Sequence, residues 1–144
     1  MKILSALLAA LVLCGLGGVA AGAPTNFDCP KSLAVTQSVA TSAGGWEVVG
    51  TPANKLTALE NIQVFTDHPS KMGNLIPDQT KRHAKTEVTT WMLAPDPMPY
   101  WIACVYSESR AVLARPIPKA AKQCRMTESV VDGKLNGIAS FVCE

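Results

Sequence analysis

The chain has 144 residues, of which 48% are hydrophobic and 17% charged, with a formal net charge of +2. That length makes one domain of ordinary size, and a near-neutral chain without a dense Lys/Arg cluster excludes the electrostatic footprint of a nucleic-acid binder. The nearest thing to a basic cluster, Lys81-Arg82-His83-Ala84-Lys85, reads as a solvated strand or loop edge.

Lys2 is followed by a largely apolar run from Ile3 to Leu13 and then by glycines and alanines, the three-part layout of a secretory signal. As a helix that run spans about 16 Å at ~1.5 Å per residue, roughly half of a ~30 Å bilayer core, so it suits export rather than permanent anchoring. Cys14 follows Leu11-Val12-Leu13, a poor lipid-attachment context. Val19-Ala20-Ala21 offers the best cleavage site, because cutting after Ala23 would leave Pro24 first. The expected organisation is a signal peptide over 1–21 and a single disulfide-bonded, β-rich domain over 22–144. Its charge is 12 Lys+Arg (13 less Lys2) minus 11 Asp+Glu, or +1.

Beyond the signal, the residues read as short strands. Leu33, Val35, Gln37 and Val39 alternate with smaller or polar residues, Ala43-Gly44-Gly45 makes a turn, and Trp46–Val49 begins a second strand. Lys55–Asn61 suits a short helical turn or a strand approach. Ile62–Thr66 is strand-like and stops at Asp67-His68-Pro69. Lys71–Gln79 reads as a loop, and Lys85–Leu93, rich in β-branched residues, as a strand. Pro95, Pro97 and Pro99 make a stiff extended linker. Tyr100–Ser107 (YWIACVYS) is an almost unbroken aromatic and branched run, the mark of a strand covered on both faces or of a central strand in a curled sheet. Trp101, Ala103 and Val105 face one way and Tyr100, Ile102, Cys104 and Tyr106 the other. A bridge from Cys104 would make its own set the buried one and leave Trp101 under a loop or on the opposite surface. Ala111–Arg115 returns antiparallel until Pro116 and Pro118, and Gln123–Val130 with Gly137–Cys143 forms a last hairpin. About eight strands and no amphipathic helical stretch predict a mainly β fold, an antiparallel sheet curled into a small sandwich or barrel, with few or no helices.

Four cysteines remain after the signal: Cys29, Cys104, Cys124 and Cys143. An even count in an exported chain implies two disulfides. Their gaps of 75, 20 and 19 residues do not suit zinc, whose ligands come in close pairs, so no metal is expected. Three pairings are open. Asp132-Gly133 is a strong two-residue hairpin turn, and folding there brings Cys124 near Cys143 and Met126 near Phe141 on one apolar face. Cys124–Cys143 is thereby favoured, and Cys29–Cys104 follows by elimination. A slip of one or two residues in the hairpin would undo this.

No catalytic constellation stands out. Asp67 could orient the imidazole of His68, but there is no nucleophile elbow, and the cysteines are committed to bridges. No phosphate loop or other cofactor motif is present, so no cofactor is expected. The candidate contact residues are Trp91, Asp96, Tyr100 and Trp101 around the prolines, and Asp67 and His68 in the preceding turn. Aromatic side chains beside a rigid loop are good binding anchors, with core packing as the competing role.

Cys29-Pro30, Val64-Phe65-Thr66-Asp67-His68-Pro69 leading to Leu75-Ile76-Pro77-Asp78, Trp101-Ile102-Ala103-Cys104-Val105-Tyr106, Leu113-Ala114-Arg115-Pro116-Ile117-Pro118 and Cys124 fall in this order. The set resembles a family of small exported proteins of Gram-negative bacteria, which implies a periplasmic β-rich domain and carries no agreed activity. Where many members have a glycine in the turn before Pro69, this chain has Asp67-His68. At the level of fold it is also similar to periplasmic lysozyme inhibitors and to immunity proteins that block cell-wall-attacking toxins. The expected function is non-enzymatic: a periplasmic or secreted domain binding another protein, a cell-wall hydrolase or toxin, with membrane contact only during export. The other readings are an envelope structural or small-ligand-binding protein, and a small hydrolase using His68.

Overall fold

The computed structural model describes residues 23–36 and 55–144. The signal segment with Cys14, the Ala43-Gly44-Gly45 turn and Trp46–Val49 lie outside the described residues. Nine strands are present among those described: β1 (Thr25–Asn26), β2 (Ser32–Val35), β3 (Lys55–Phe65), β4 (Gln79–Arg82), β5 (Thr86–Met92), β6 (Trp101–Tyr106), β7 (Val112–Pro116), β8 (Gln123–Val131) and β9 (Lys134–Cys143). They form a five-stranded sheet, β1-β9-β8-β5-β4, and a four-stranded sheet, β2-β3-β6-β7. Both are antiparallel, and one is curled into a half-barrel. The expected fold class is therefore the observed one.

Several details differ from the sequence reading. Of the two readings of Lys55–Asn61, the helical turn does not form and the strand does, as the first part of an 11-residue strand. Its start, residues 55–58, pairs with β2 and its remainder with β6 from Leu59 onward, with a bulge between Leu59 and Asn61 inside the β6 pairing. The Asn61 carboxamide oxygen accepts the backbone N–H of Ile62 at 2.7 Å just past that bulge. Lys71–Gln79 is not wholly loop: a 3-10 turn at Pro69–Lys71 enters it and Gln79 already begins β4. β4 is an exposed edge strand without an apolar residue, and β1 has only two residues. Neither offers a hydrophobic alternation from which a strand can be read. The strand after the Ser107–Arg110 turn runs through Pro116 rather than stopping at it. As an edge strand, β7 has room for a proline that donates no ladder bond.

The core lies between the sheets. Ile62, Val64, Ile102 and Ile117 from one side meet Phe27, Trp91, Leu93, Met126 and Phe141 from the other. Phe141 stands edge-on to Phe27, with ring centroids 6.0 Å apart, and tilted to Trp91 at 5.9 Å. Buried side chains of this size each stabilise the fold by about 1.5–3 kcal/mol. In β6, Ile102, Cys104 and Tyr106 are buried as one face and Ala103 is buried on the other, so both faces are covered. The Tyr106 hydroxyl donates to the Pro30 carbonyl at 2.9 Å, and burial pushes its pKa above the usual 10.0.

Two disulfides lock this arrangement, Cys29–Cys104 and Cys124–Cys143, the expected pairing, reached through two register shifts in the last hairpin. The N-terminal arm makes the first one useful. β1 belongs to one sheet and β2 to the other, so residues 27–31 cross between them. Cys29 ties that crossing to β6 over a sequence separation of 75.

Candidate functional site

The loop between β3 and β4 is built by hydrogen bonds to its neighbours. Asp67 accepts the backbone N–H of His68 at 2.6 Å, so its carboxylate holds the main chain rather than the ring. Asp67 does not orient the imidazole, and the segment is a turn with a polar cap. His68 instead caps the 3-10 turn: its Nδ1 accepts from the Ser70 N–H at 3.3 Å and lies 2.8 Å from Ser70 Oγ. The backbone of His68 is extended, with φ −52° and ψ 135°, so no glycine is required before Pro69. Beyond the turn, Thr66 N–H donates to the Gly73 carbonyl at 2.9 Å and Leu75 N–H to the Val64 carbonyl at 2.7 Å. A Cβ on Gly73 would sit 2.7 Å from Thr66 Oγ1, so any other residue there would force the Thr66 side chain or the loop to shift.

Trp91 is a core residue, 3% exposed, and offers no contact surface. Its indole N–H donates to the Leu75 carbonyl at 3.0 Å, tethering the loop from beneath. A tryptophan on a strand with strict alternation can face either way, and the inward direction here follows from its pairing opposite Cys124. Asp78 closes the loop by accepting the Met92 N–H at 2.7 Å.

The proline segment is held in a similar way. Asp96 accepts the Met98 N–H at 2.8 Å, and the Tyr100 hydroxyl donates to the Ala94 carbonyl at 3.1 Å. Tyr100 is half-buried against the core, beside a recess of about 240 Å³ between the prolines and Ile117–Lys122. Trp101, half-buried, lies under the Asp67-His68 turn with its indole against the His68 ring. Thus the structure brings Asp67, His68 and Trp101 together, leaves Asp96 and Tyr100 on the proline loop, and takes Trp91 into the core.

Two residues of the β3–β4 loop are not among the contact residues that the sequence singles out. Met72 and Ile76 are each 82% exposed, more than any other large hydrophobic side chain among the described residues. Met72 also has φ +58°, a left-handed conformation uncommon outside glycine. Their signal was available as apolar residues within a proline-bounded loop, Pro69 to Pro77.

Beside the same loop a groove of about 450 Å³ opens between β3 and the inner face of the five-stranded sheet. Glu60, Asn61, Gln63, Asn74 and Glu128 line it. Glu128 sits directly opposite Glu87 on the neighbouring strand, and Glu87 is bound by Arg82 at 2.7 Å. Desolvation, then the Glu87 charge, raises the Glu128 pKa above the ordinary 4.5, against a smaller lowering by Arg82. Among the described residues no group of three or more His, Cys, Asp or Glu side chains could hold a metal ion.

A family model described as the type VI secretion system Tli immunity protein matches residues 52–144, a span that takes in the β3–β4 loop, the proline segment and the final hairpin. No curated protein and no solved structure matches the chain.

Proposed function

The chain belongs to the type VI secretion system Tli immunity family, and we propose that it neutralises a toxin by binding it and covering its active cleft, without catalysis of its own. The observation that carries the reading is the family match, which spans both surface segments singled out in the sequence. The contact between His68 and Trp101 ties the β3–β4 loop to the end of the proline segment. Preorganised surfaces of this kind bind well because little entropy is lost on docking.

The working compartment is the periplasm, reached after removal of residues 1–21. Two disulfides suit an oxidising space. The toxin is then one whose substrate is reachable from that side, with a cell-wall hydrolase as the preferred class. His68 as a hydrolytic base has little support: its Nδ1 is occupied by Ser70 and the nearest carboxylate holds backbone. A carrier of apolar ligands is disfavoured by a core of aromatic and branched side chains and by the carboxylates and carboxamides that line the groove beside it.

The test is direct. The purified mature chain is mixed with the toxin encoded beside its gene. Co-elution in a fixed ratio and loss of toxin activity are the expected result. No complex and no protection of cells from lysis would end the proposal. His68→Ala should keep protection at saturating chain, whereas an enzyme built on His68 would lose turnover.

A further inference from the structure

We propose that Met72 and Ile76 are the apolar anchors by which the chain seats in a recess of its toxin, an inference that rests on the immunity reading above. Met72 and Ile76, each 82% exposed and four residues apart on one loop, add nothing to the core and together form the most exposed apolar pair among the described residues. Methionine suits the role because its unbranched thioether fills irregular recesses, and it is enriched at interfaces.

The loop is built to hold these side chains still. Strand β3 grips it at Gly73 and Leu75, and the Trp91 indole grips it from the core. Met72 N–H donates to the Pro69 carbonyl at 3.0 Å and fixes the turn that carries Met72 itself. The left-handed backbone at Met72 is strain of the sort retained at contact sites. A side chain presented from such a frame docks without first ordering its backbone.

Charge selects the occupant. Asp67 and Asp78 stand at the two ends of the loop, and Glu60 and Glu128 line the groove beside it. Carboxylates flanking the anchors disfavour an anionic lipid surface, since within the loop itself, residues 67–78, Lys71 faces two carboxylates, Asp67 and Asp78. A folded partner with an apolar recess and a basic rim meets both features.

The experiment uses the full mature chain and the adjacent toxin, inactivated at its catalytic residue, with affinity read by interferometry and folding by thermal melting. The wild-type chain should bind, and M72D/I76D should bind about 30-fold or more weakly at unchanged melting temperature. M72L/I76L should stay close to wild type, and V131D, at the exposed tip of the last hairpin, should not weaken binding. If wild type binds and M72D/I76D binds equally well, the anchors are wrong and the immunity reading stands. If wild type does not bind the toxin, the immunity reading falls and the anchors with it. If wild type self-associates or binds phosphatidylglycerol vesicles through these side chains while toxin affinity is unaffected by M72D/I76D, a different occupant replaces the toxin.

Discussion

The imidazole of His68 stands edge-on to the indole of Trp101, with ring centroids 4.7 Å apart and planes at 76°. This contact joins the β3–β4 loop to the start of β6. The same ring caps Ser70 through Nδ1, so one side chain both seats the turn and closes it. His68→Ala is expected to cost about 1 kcal/mol, the worth of one ring contact or one net hydrogen bond, read by urea unfolding. His68→Asn should recover the capping share only. A loss shared equally by alanine and asparagine would show that the cap contributes nothing.

The two bridges should differ in both worth and access. In the chain-entropy model, removing Cys124–Cys143, with a separation of 19, costs about 3 kcal/mol, and removing Cys29–Cys104, with a separation of 75, about 4 kcal/mol. Cys124 and Cys143 are 0% and 1% exposed, whereas Cys29 is half-buried and lines a small surface recess with Cys104. Attack on a disulfide needs access to sulfur. Mild reductant followed by alkylation and mass spectrometry should therefore label Cys29 and Cys104 first. Simultaneous labelling of all four would mean that the fold opens globally before either bridge is reached.

Glu128 should be a small liability at neutral pH. Its pKa is raised in the folded state, so the folded chain binds more protons than the unfolded one above 4.5. Stability from this residue is therefore greatest at low pH and falls as pH rises through the shifted pKa. Glu128→Gln removes the like-charge pair with Glu87 and should stabilise at pH 7 by a few tenths of a kcal/mol. The advantage should vanish below the unfolded value of 4.5. Parallel melting curves across pH check this, and a constant gap at all pH values would exclude the charge explanation.

Much of this fold is legible in the residues because burial writes itself as periodicity. YWIACVYS reads as a strand covered on both sides, and Ile102, Cys104 and Tyr106 are buried as one face. Trp101 lies under a loop, one of the two places the alternation leaves for it. Elsewhere the signal was weak for physical reasons. β4 carries four exposed polar residues and is held by its hairpin partner, not by burial. The crossing of the N-terminal arm between sheets depends on long-range pairing that no local pattern encodes. Trp91 and Trp101 are both aromatic residues near prolines, and only the partner strands separate a core indole from one at a loop. Met72 and Ile76 are legible as apolar residues in a proline-bounded loop, but residue type does not say whether such residues fold inward or stay exposed.

The final hairpin holds the most demanding case, and Gly137 is its test. Asp132 and Gly133 have φ +50° and +74°, the two left-handed residues of a tight turn, and Val131 pairs with Lys134 across them. Continued without interruption, that register would set Cys124 opposite Phe141. The observed pairing is Cys124 with Cys143 and Met126 with Phe141, because the register shifts between Val130 and Glu128 and again between Glu128 and Thr127. Each shift inserts one residue into β9 and reverses its in–out alternation. The first turns Ile138 rather than Leu135's parity inward, and the second restores the parity that buries Phe141 and Cys143. Losing one alone would turn both outward, so the two work as a pair. Gly137 lies in the first, with φ +89° and nothing within 4 Å of a Cβ placed there. The cost of Gly137→Ala is therefore backbone strain without a clash, about 1–2 kcal/mol, and asparagine should recover part of it. Because Cys124–Cys143 pins the far end, the loosening should stay near the tip. Amide exchange should quicken around Val130–Leu135 and remain slow at Cys124–Met126. Equal acceleration along the whole hairpin would show that the bridge does not hold the register.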